Sequence, residues 1–121
     1  MVTQVTSLGR SGLSDWMIQR VTAVIMLVYT VVIVAFFLCN GELTYETWRG
    51  FHDMTCMRVL NAAALISIAA HAWIGIWGVS TDYMTERMMG SFATVVRLAF
   101  QAGCGILLFV YVVWGLQAVW A

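Results

Sequence analysis

The stretch VTAVIMLVYTVVIVAFFL, residues 21–38, contains no charged residue. A helix needs about 20 such residues to cross roughly 30 Å of hydrocarbon. Two similar runs follow at residues 59–79 and 98–120. None of the runs shows the alternation of polar and apolar residues typical of barrel strands, and three strands cannot close a barrel. The sequence therefore predicts an all-α membrane protein with three transmembrane helices. The expected spans are approximately residues 17–39, 58–81 and 95–119.

The composition also indicates a protein that lies in the lipid bilayer. Of its 121 residues, 62% are hydrophobic and 10% are charged, and the mean hydropathy is +0.88. The net charge is zero and the basic residues form no cluster, so nothing favours binding of nucleic acid. The segments outside the three runs are too short for a soluble catalytic domain. We expect a single membrane domain over residues 1–121.

The basic residues, all of them arginines, predict the orientation of the chain. Four lie on the side of the amino terminus and two on the opposite side. Because arginines concentrate on the cytoplasmic side of membrane proteins, we expect a cytoplasmic amino terminus and a periplasmic carboxyl terminus. The first group is Arg10, Arg20, Arg87 and Arg97, and the second is Arg49 and Arg58.

The three cysteines, Cys39, Cys56 and Cys104, show no spacing typical of a metal site. We interpret them as small apolar packing residues. A disulfide bond between Cys39 and Cys56, which fall on the same predicted side of the membrane, is the alternative.

His71 places an ionisable imidazole deep in the second apolar run. At 1.5 Å per residue it lies ~18 Å from Val59 and ~12 Å from Val79, so it cannot reach the membrane surface. An ionisable group at such a depth indicates a functional site. The alternative is a neutral imidazole that only forms a hydrogen bond with a neighbouring helix.

Four small residues share the helical face of His71 and predict a groove beside it. Such a groove serves close helix packing, and it also suits a flat macrocycle held through iron. A b-type haem with two axial ligands needs a second ligand, and the other histidine, His52, lies too far along the chain. We expect that ligand to come from another polypeptide, with internal methionines such as Met26 as the alternative. The small residues are Ala64, Ser67, Gly75 and Gly78.

Polar residues near the predicted inner membrane surface suggest further members of a site. Arg20 stands where the first run enters the membrane, and it either pairs with haem propionates or follows the ordinary arginine bias of inner loops. Asp82 falls about 20° from His71 in helical projection. Together with Tyr83 it can supply the hydrogen bond and the proton that a quinone needs on reduction. Interfacial tyrosines and helix-ending aspartates are also common without such a role.

Four segments, in this order and spacing, resemble the D-type hydrophobic anchor subunits of bacterial succinate dehydrogenases. The resemblance covers residues 1 to about 90, and it extends to the third helix only in character. The spacing between His71 and Tyr83 is its most specific part. The segments are SLGRSGLSDW (7–16), GELTYETW (41–48), HAWIGIW (71–77) and TDY (81–83).

This resemblance implies specific cofactors, partners and residue roles. In that family two three-helix anchors, C and D, hold a flavoprotein and an iron–sulfur protein on the cytoplasmic face, bind haem b between them and form a ubiquinone site. His71 is then an axial ligand of the haem iron, and the C-type anchor supplies the other histidine. Tyr83 is the hydrogen-bond donor to the quinone with Asp82 beside it. Asp15, in the amino-terminal segment, faces the same region as this quinone pocket, and Arg20 lies near the haem propionates.

We therefore expect a membrane anchor subunit of succinate:ubiquinone oxidoreductase in the bacterial inner membrane, which takes part in electron transfer from succinate to ubiquinone. The chain forms half of a haem-binding bundle, has no succinate site and is not catalytic by itself. The alternative from a different functional class is a three-helix structural or assembly protein without cofactors. In that protein His71 would only form a hydrogen bond within the bundle.

Overall fold

The computed structural model of the protein describes residues 12–121, which are almost entirely helical and contain no strand. Arg10 and the first part of the SLGRSGLSDW segment lie outside the described residues. Three helices are long and apolar enough to cross a membrane, so the expected all-α class with three spans is confirmed. The helices are α1 (Gly12–Cys39), α2 (Tyr45–Asp53), α3 (Thr55–Tyr83), α4 (Glu86–Met89) and α5 (Ala93–Trp120), with a 3-10 turn at Gly90–Phe92.

Helix α3 lies between α1 and α5 and packs against both. Small residues permit this close approach, because Ala64 and Ser67 of α3 are buried in the contacts. A Cβ added to Gly115 of α5 would lie only 2.5 Å from the side chain of Leu65. Most of the large apolar side chains of α1 and α5 are exposed on the outside of the bundle, where lipid can solvate them.

Helix α2 lies in the connection between the first two spans. The hydroxyl of Thr44 caps its amino terminus by accepting a hydrogen bond of 3.2 Å from the backbone N–H of Thr47. Aromatic rings then fix α2 on the end of α1. The ring of Phe51 stacks on Phe36 with centroids 4.0 Å apart, and Trp48 stacks on Phe37 at 5.3 Å.

The connection between α3 and α5 is short and ordered. Gly90 ends α4 with a φ of 75°, which a residue with a Cβ rarely adopts. Arg97, one turn into α5, donates a hydrogen bond of 3.5 Å to the carbonyl of Met84 just after α3. The end of α3 that carries Asp82 and Tyr83 is therefore held close to the start of α5.

Candidate functional site around His71

His71 lies in the middle of α3 and faces α1. Its Nδ1 atom is 3.2 Å from the hydroxyl oxygen of Thr22, which is only 7% exposed. The same hydroxyl is 2.7 Å from the carbonyl oxygen of Ile18 and 3.1 Å from that of Gln19. Within residues 12–121, the contact with Thr22 is the hydrogen-bonding contact of the imidazole, and it uses Nδ1. The other ring nitrogen, Nε2, is therefore left for another partner.

A cleft between α1 and α3 contains both His71 and Arg20. Its volume is about 290 Å³, and the guanidinium of Arg20 lies over the Trp16 ring, 5.4 Å from the centroid. The Gln19 side-chain oxygen is buried and has no hydrogen-bond partner among the described residues. The cleft therefore combines an imidazole, a cation and an unsatisfied polar group. It is lined by Asp15, Trp16, Gln19, Arg20, Ala23, His71 and Ile74.

The four small residues on the face of His71 have two different environments. Ala64 and Ser67 are buried against neighbouring helices, whereas Cβ atoms added to Gly75 and Gly78 would meet nothing within 4 Å. The groove is therefore filled by protein on one side of His71 and open on the side toward Asp82. Close helix packing thus explains Ala64 and Ser67, and open space beside the imidazole is found at Gly75 and Gly78.

Asp82 and Tyr83 do not line the cleft that contains His71. They end α3 twelve residues further along, or ~18 Å at 1.5 Å per residue, and both are exposed, Tyr83 to 64%. One continuous helix thus carries the imidazole at its middle and the carboxylate and phenol at its end. The structure brings His71 and Arg20 together and keeps Asp82 and Tyr83 apart from them.

No family model matches the chain. A comparison with curated proteins finds the succinate dehydrogenase hydrophobic membrane anchor subunit of Coxiella burnetii (strain RSA 493 / Nine Mile phase I). The two chains are 31% identical over 112 residues, which cover 93% of this chain and 91% of the relative. The chain belongs to the family of succinate dehydrogenase hydrophobic membrane anchor subunits. This anchor subunit is a multi-pass membrane protein, in agreement with its three apolar helices.

The anchor subunit also contains a buried polar pair that the sequence analysis missed. Gln101 of α5 donates a hydrogen bond of 2.7 Å to the hydroxyl of Ser80 in α3, which in turn donates to the carbonyl of Trp77 at 2.9 Å. Ser80 is fully buried and Gln101 is 9% exposed. The polar side chain of Gln101 within the third apolar run was the sequence signal for this contact.

His52 of the anchor subunit lies in α2, away from the cleft of His71. Its Nδ1 atom is 2.9 Å from the side-chain nitrogen of Asn61. Burial lowers the pKa of His52, and its hydrogen bond with the Asn61 side chain and the negative charge of Asp53 partly offset this effect. The structure thus places the two histidines in different clefts, one of them at the α2 end of the bundle.

The cysteines of the anchor subunit differ from the expectation. Cys39 and Cys56 are exposed, Cys104 is half-buried, and all three thiols are free. The interpretation as packing residues was therefore wrong for Cys39 and Cys56 within this chain, because both are exposed, Cys39 at the end of α1 and Cys56 at the start of α3. Residues 12–121 contain no group of three or more histidine, cysteine or acidic residues that could hold a metal ion.

Proposed function

We propose that this anchor subunit serves a succinate:ubiquinone oxidoreductase, in which it supplies one axial ligand to a haem b and part of the ubiquinone site. The observation that carries the proposal is His71, held through Nδ1 in a cleft that also contains Arg20. Family membership supports the placement in a succinate dehydrogenase. The partners are a C-type anchor, an iron–sulfur subunit and a flavoprotein subunit. The membrane is the bacterial inner membrane, with the amino terminus in the cytoplasm.

The residues of the cleft fit a haem. Nε2 of His71 is a nitrogen donor of the kind that haem iron prefers, and Arg20 supplies a cation for an anionic propionate. Gly75 leaves open space one turn away from the imidazole. When bound, haem b supplies a centre that accepts and releases single electrons. Because this chain offers one histidine at the cleft, the second axial ligand comes from the C-type anchor.

The protein's own groups at the cleft have distinct tasks. Thr22 limits the rotation of the His71 ring, since its hydroxyl forms a hydrogen-bonding contact with Nδ1 from the neighbouring helix α1. Trp16 restricts Arg20 through the cation–π contact, which favours one position of the charge near the membrane surface. The unsatisfied oxygen of Gln19 is available to a donor from a ligand or from the partner chain.

Tyr83 and Asp82 serve the quinone. The phenol O–H of Tyr83 donates a hydrogen bond to a quinone carbonyl, and Asp82 relays protons to it. Reduction of one quinone to quinol consumes two electrons, delivered by the iron–sulfur subunit from succinate, and two protons. The exposure of both side chains supports this assignment, because a pocket completed by partner subunits requires groups that are open in the isolated chain.

A cofactor-free structural or assembly protein is the second candidate. The hydrogen-bond contact between His71 and Thr22 favours it, because this contact alone satisfies one ring nitrogen and joins α1 to α3. The exposed Arg20 and the open space at Gly75 have no task in such a protein.

Purification of the complex tests the proposed function. With an affinity tag after Ala121, we expect the anchor subunit to copurify with a flavoprotein, an iron–sulfur protein and a second small anchor, and to carry a b-type absorption band. Isolation of the chain without these subunits and without the band, under conditions that keep membrane complexes intact, would support the structural candidate instead.

A further inference from the structure

We propose that Thr22 is a positioning residue that fixes the tautomer of His71. Its hydroxyl oxygen accepts a hydrogen bond from the Nδ1–H group, so Nε2 carries the free lone pair with which the ring would bind a metal. The part of this inference that concerns iron rests on the proposed function. The part that concerns the tautomer depends only on the contacts among described residues.

The distances decide where the single hydroxyl proton of Thr22 points. The Ile18 carbonyl oxygen lies at 2.7 Å and the Gln19 carbonyl at 3.1 Å, whereas Nδ1 of His71 lies at 3.2 Å. A threonine within a helix commonly donates to the carbonyl four residues earlier. Since Thr22 is buried, water does not compete for this proton. The hydroxyl therefore donates within α1 and turns its lone pairs to the imidazole.

The tautomer of His71 follows from the direction in which the Thr22 hydroxyl donates its proton. A neutral imidazole carries one N–H, and a nitrogen that faces a hydroxyl lone pair must be the protonated one. Nδ1 is therefore the N–H, and Nε2 is the bare nitrogen that a metal can bind. The opposite tautomer would require the Thr22 hydroxyl to leave its closest acceptor and donate over the longest of the three distances.

This contact has two consequences for a bound haem. Metal-binding histidines usually donate their second N–H to an oxygen, which orients the ring and increases the basicity of the ligand, and loss of that partner costs roughly 10- to 100-fold in metal affinity. A more basic ligand also favours the oxidised iron. Removal of the Thr22 hydroxyl should therefore weaken retention of the haem and raise its reduction potential.

Three variants of the purified complex test the proposal. Thr22→Val replaces the hydroxyl by a methyl group of similar size, and Thr22→Ser keeps the hydroxyl. Thr30→Val is the matched control, because Thr30 donates to the carbonyl of Met26 at 2.9 Å in the same helix but is exposed and makes no imidazole contact. The measurements are haem per complex during dilution into detergent, the reduction potential, and the electron paramagnetic resonance spectrum of the oxidised haem.

We expect Thr22→Val to retain haem roughly 10- to 100-fold less tightly, with a higher potential and a changed resonance spectrum. In Thr22→Ser and Thr30→Val, the haem retention, the reduction potential and the resonance spectrum should remain close to those of the unchanged complex. The proposal is overturned if Thr22→Val behaves like Thr30→Val. It is also overturned if Thr22→Ser is as defective as Thr22→Val, since the methyl group and not the hydroxyl would then matter.

A second measurement separates this inference from the proposed function and needs no variant of Thr22. Nitrogen-15 resonances of histidine in the full-length chain, assembled without haem, report the tautomer of each ring. His71 should carry its proton on Nδ1, with His52 assigned through His52→Gln. A proton on Nε2 overturns the positioning role whether or not the complex binds haem. Absence of haem from the unchanged complex would contradict the proposed function. Even then, the nitrogen-15 resonances of His71 would still test its hydrogen bond with Thr22.

Discussion

Gln101 of α5 donates a hydrogen bond of 2.7 Å to the hydroxyl of Ser80, three residues before the Tyr83 that ends α3. Both partners are buried in the helix contact. In an apolar surrounding such a bond holds two helices in one register, because breaking it leaves a polar group without a partner. The position of the carboxylate and phenol at the end of α3 thus depends on a residue of α5.

Gln101→Leu should destabilise the assembled chain. The hydroxyl of Ser80 loses its donor, and the expected cost is about 1–3 kcal/mol, measured as a lower melting temperature of the purified complex. Gln117→Leu is the control, because Gln117 lies in the same helix but is exposed. The double variant Ser80→Ala with Gln101→Leu should recover part of the loss, since both polar partners are then removed. An equal effect of the two single leucine variants would show that the bond contributes nothing.

Tyr83→Phe removes one hydroxyl and keeps the ring. If that hydroxyl donates to a quinone carbonyl, ubiquinone reduction should fall roughly 5- to 150-fold, which corresponds to about 1–3 kcal/mol. Succinate oxidation by a dye that takes electrons before the quinone should persist, as should the haem spectrum. Tyr45→Phe, at an exposed tyrosine of α2, should leave both rates unchanged. Wild-type rate and affinity for ubiquinone in Tyr83→Phe would make this tyrosine a membrane-surface anchor only.

Reporter fusions test the orientation on which the quinone assignment depends. From the three spans and the arginine distribution we expect a reporter after Ala121 to lie in the periplasm and one near Glu86 to lie in the cytoplasm. The activities of a periplasm-dependent and a cytoplasm-dependent reporter at both sites give the answer. The reverse pattern would put Tyr83 on the side away from a cytoplasmic electron donor.

The contact between α2 and α3 should weaken in acid. Burial lowers the pKa of His52 below its ordinary value of 6.5. In the unfolded segment the imidazole therefore binds a proton at a higher pH than in the folded one. The stability of the contact between α2 and α3 is therefore highest above about pH 6.5. It falls as the pH drops from there to the pKa of His52 in the folded state, and at lower pH it changes no further through this group. Amide hydrogen exchange of residues 45–53 should accelerate over this window.

His52→Gln, which cannot titrate, is the control for that experiment. In this variant the exchange of α2, corrected for the intrinsic effect of pH on amides, should no longer depend on pH below neutrality. A pH-dependent loss of protection that persists in His52→Gln would contradict this assignment to His52.

The three long helices could be predicted from the sequence, because in lipid a helix must satisfy all its backbone hydrogen bonds internally and its length follows from the apolar run. Helix α2 could not be predicted from hydropathy. Its stability comes from rings of α1 that meet Trp48 and Phe51, and such contacts become visible only when the chain folds back. The cap at Thr44 was a local signal that the sequence already contained.

The site was predictable only in part, for a similar reason. The depth of His71 in an apolar run follows from the sequence, whereas its contact with Thr22, 49 residues earlier, depends on the register between two helices. The same register determines which small residues become buried. Ala64 and Gly75 look alike in a helical projection, yet one packs against protein and the other faces open space.

The absorption spectrum of the purified complex tests the central claim, that His71 is an axial ligand of a haem b. We predict that His71→Ala loses the b-type band or shifts it with a lower haem content, while His52→Ala, which changes the other histidine, leaves band and haem content intact. Copurification of the other subunits with both variants would show that assembly is preserved. A His71→Ala complex with the wild-type spectrum and one haem per complex would contradict the account.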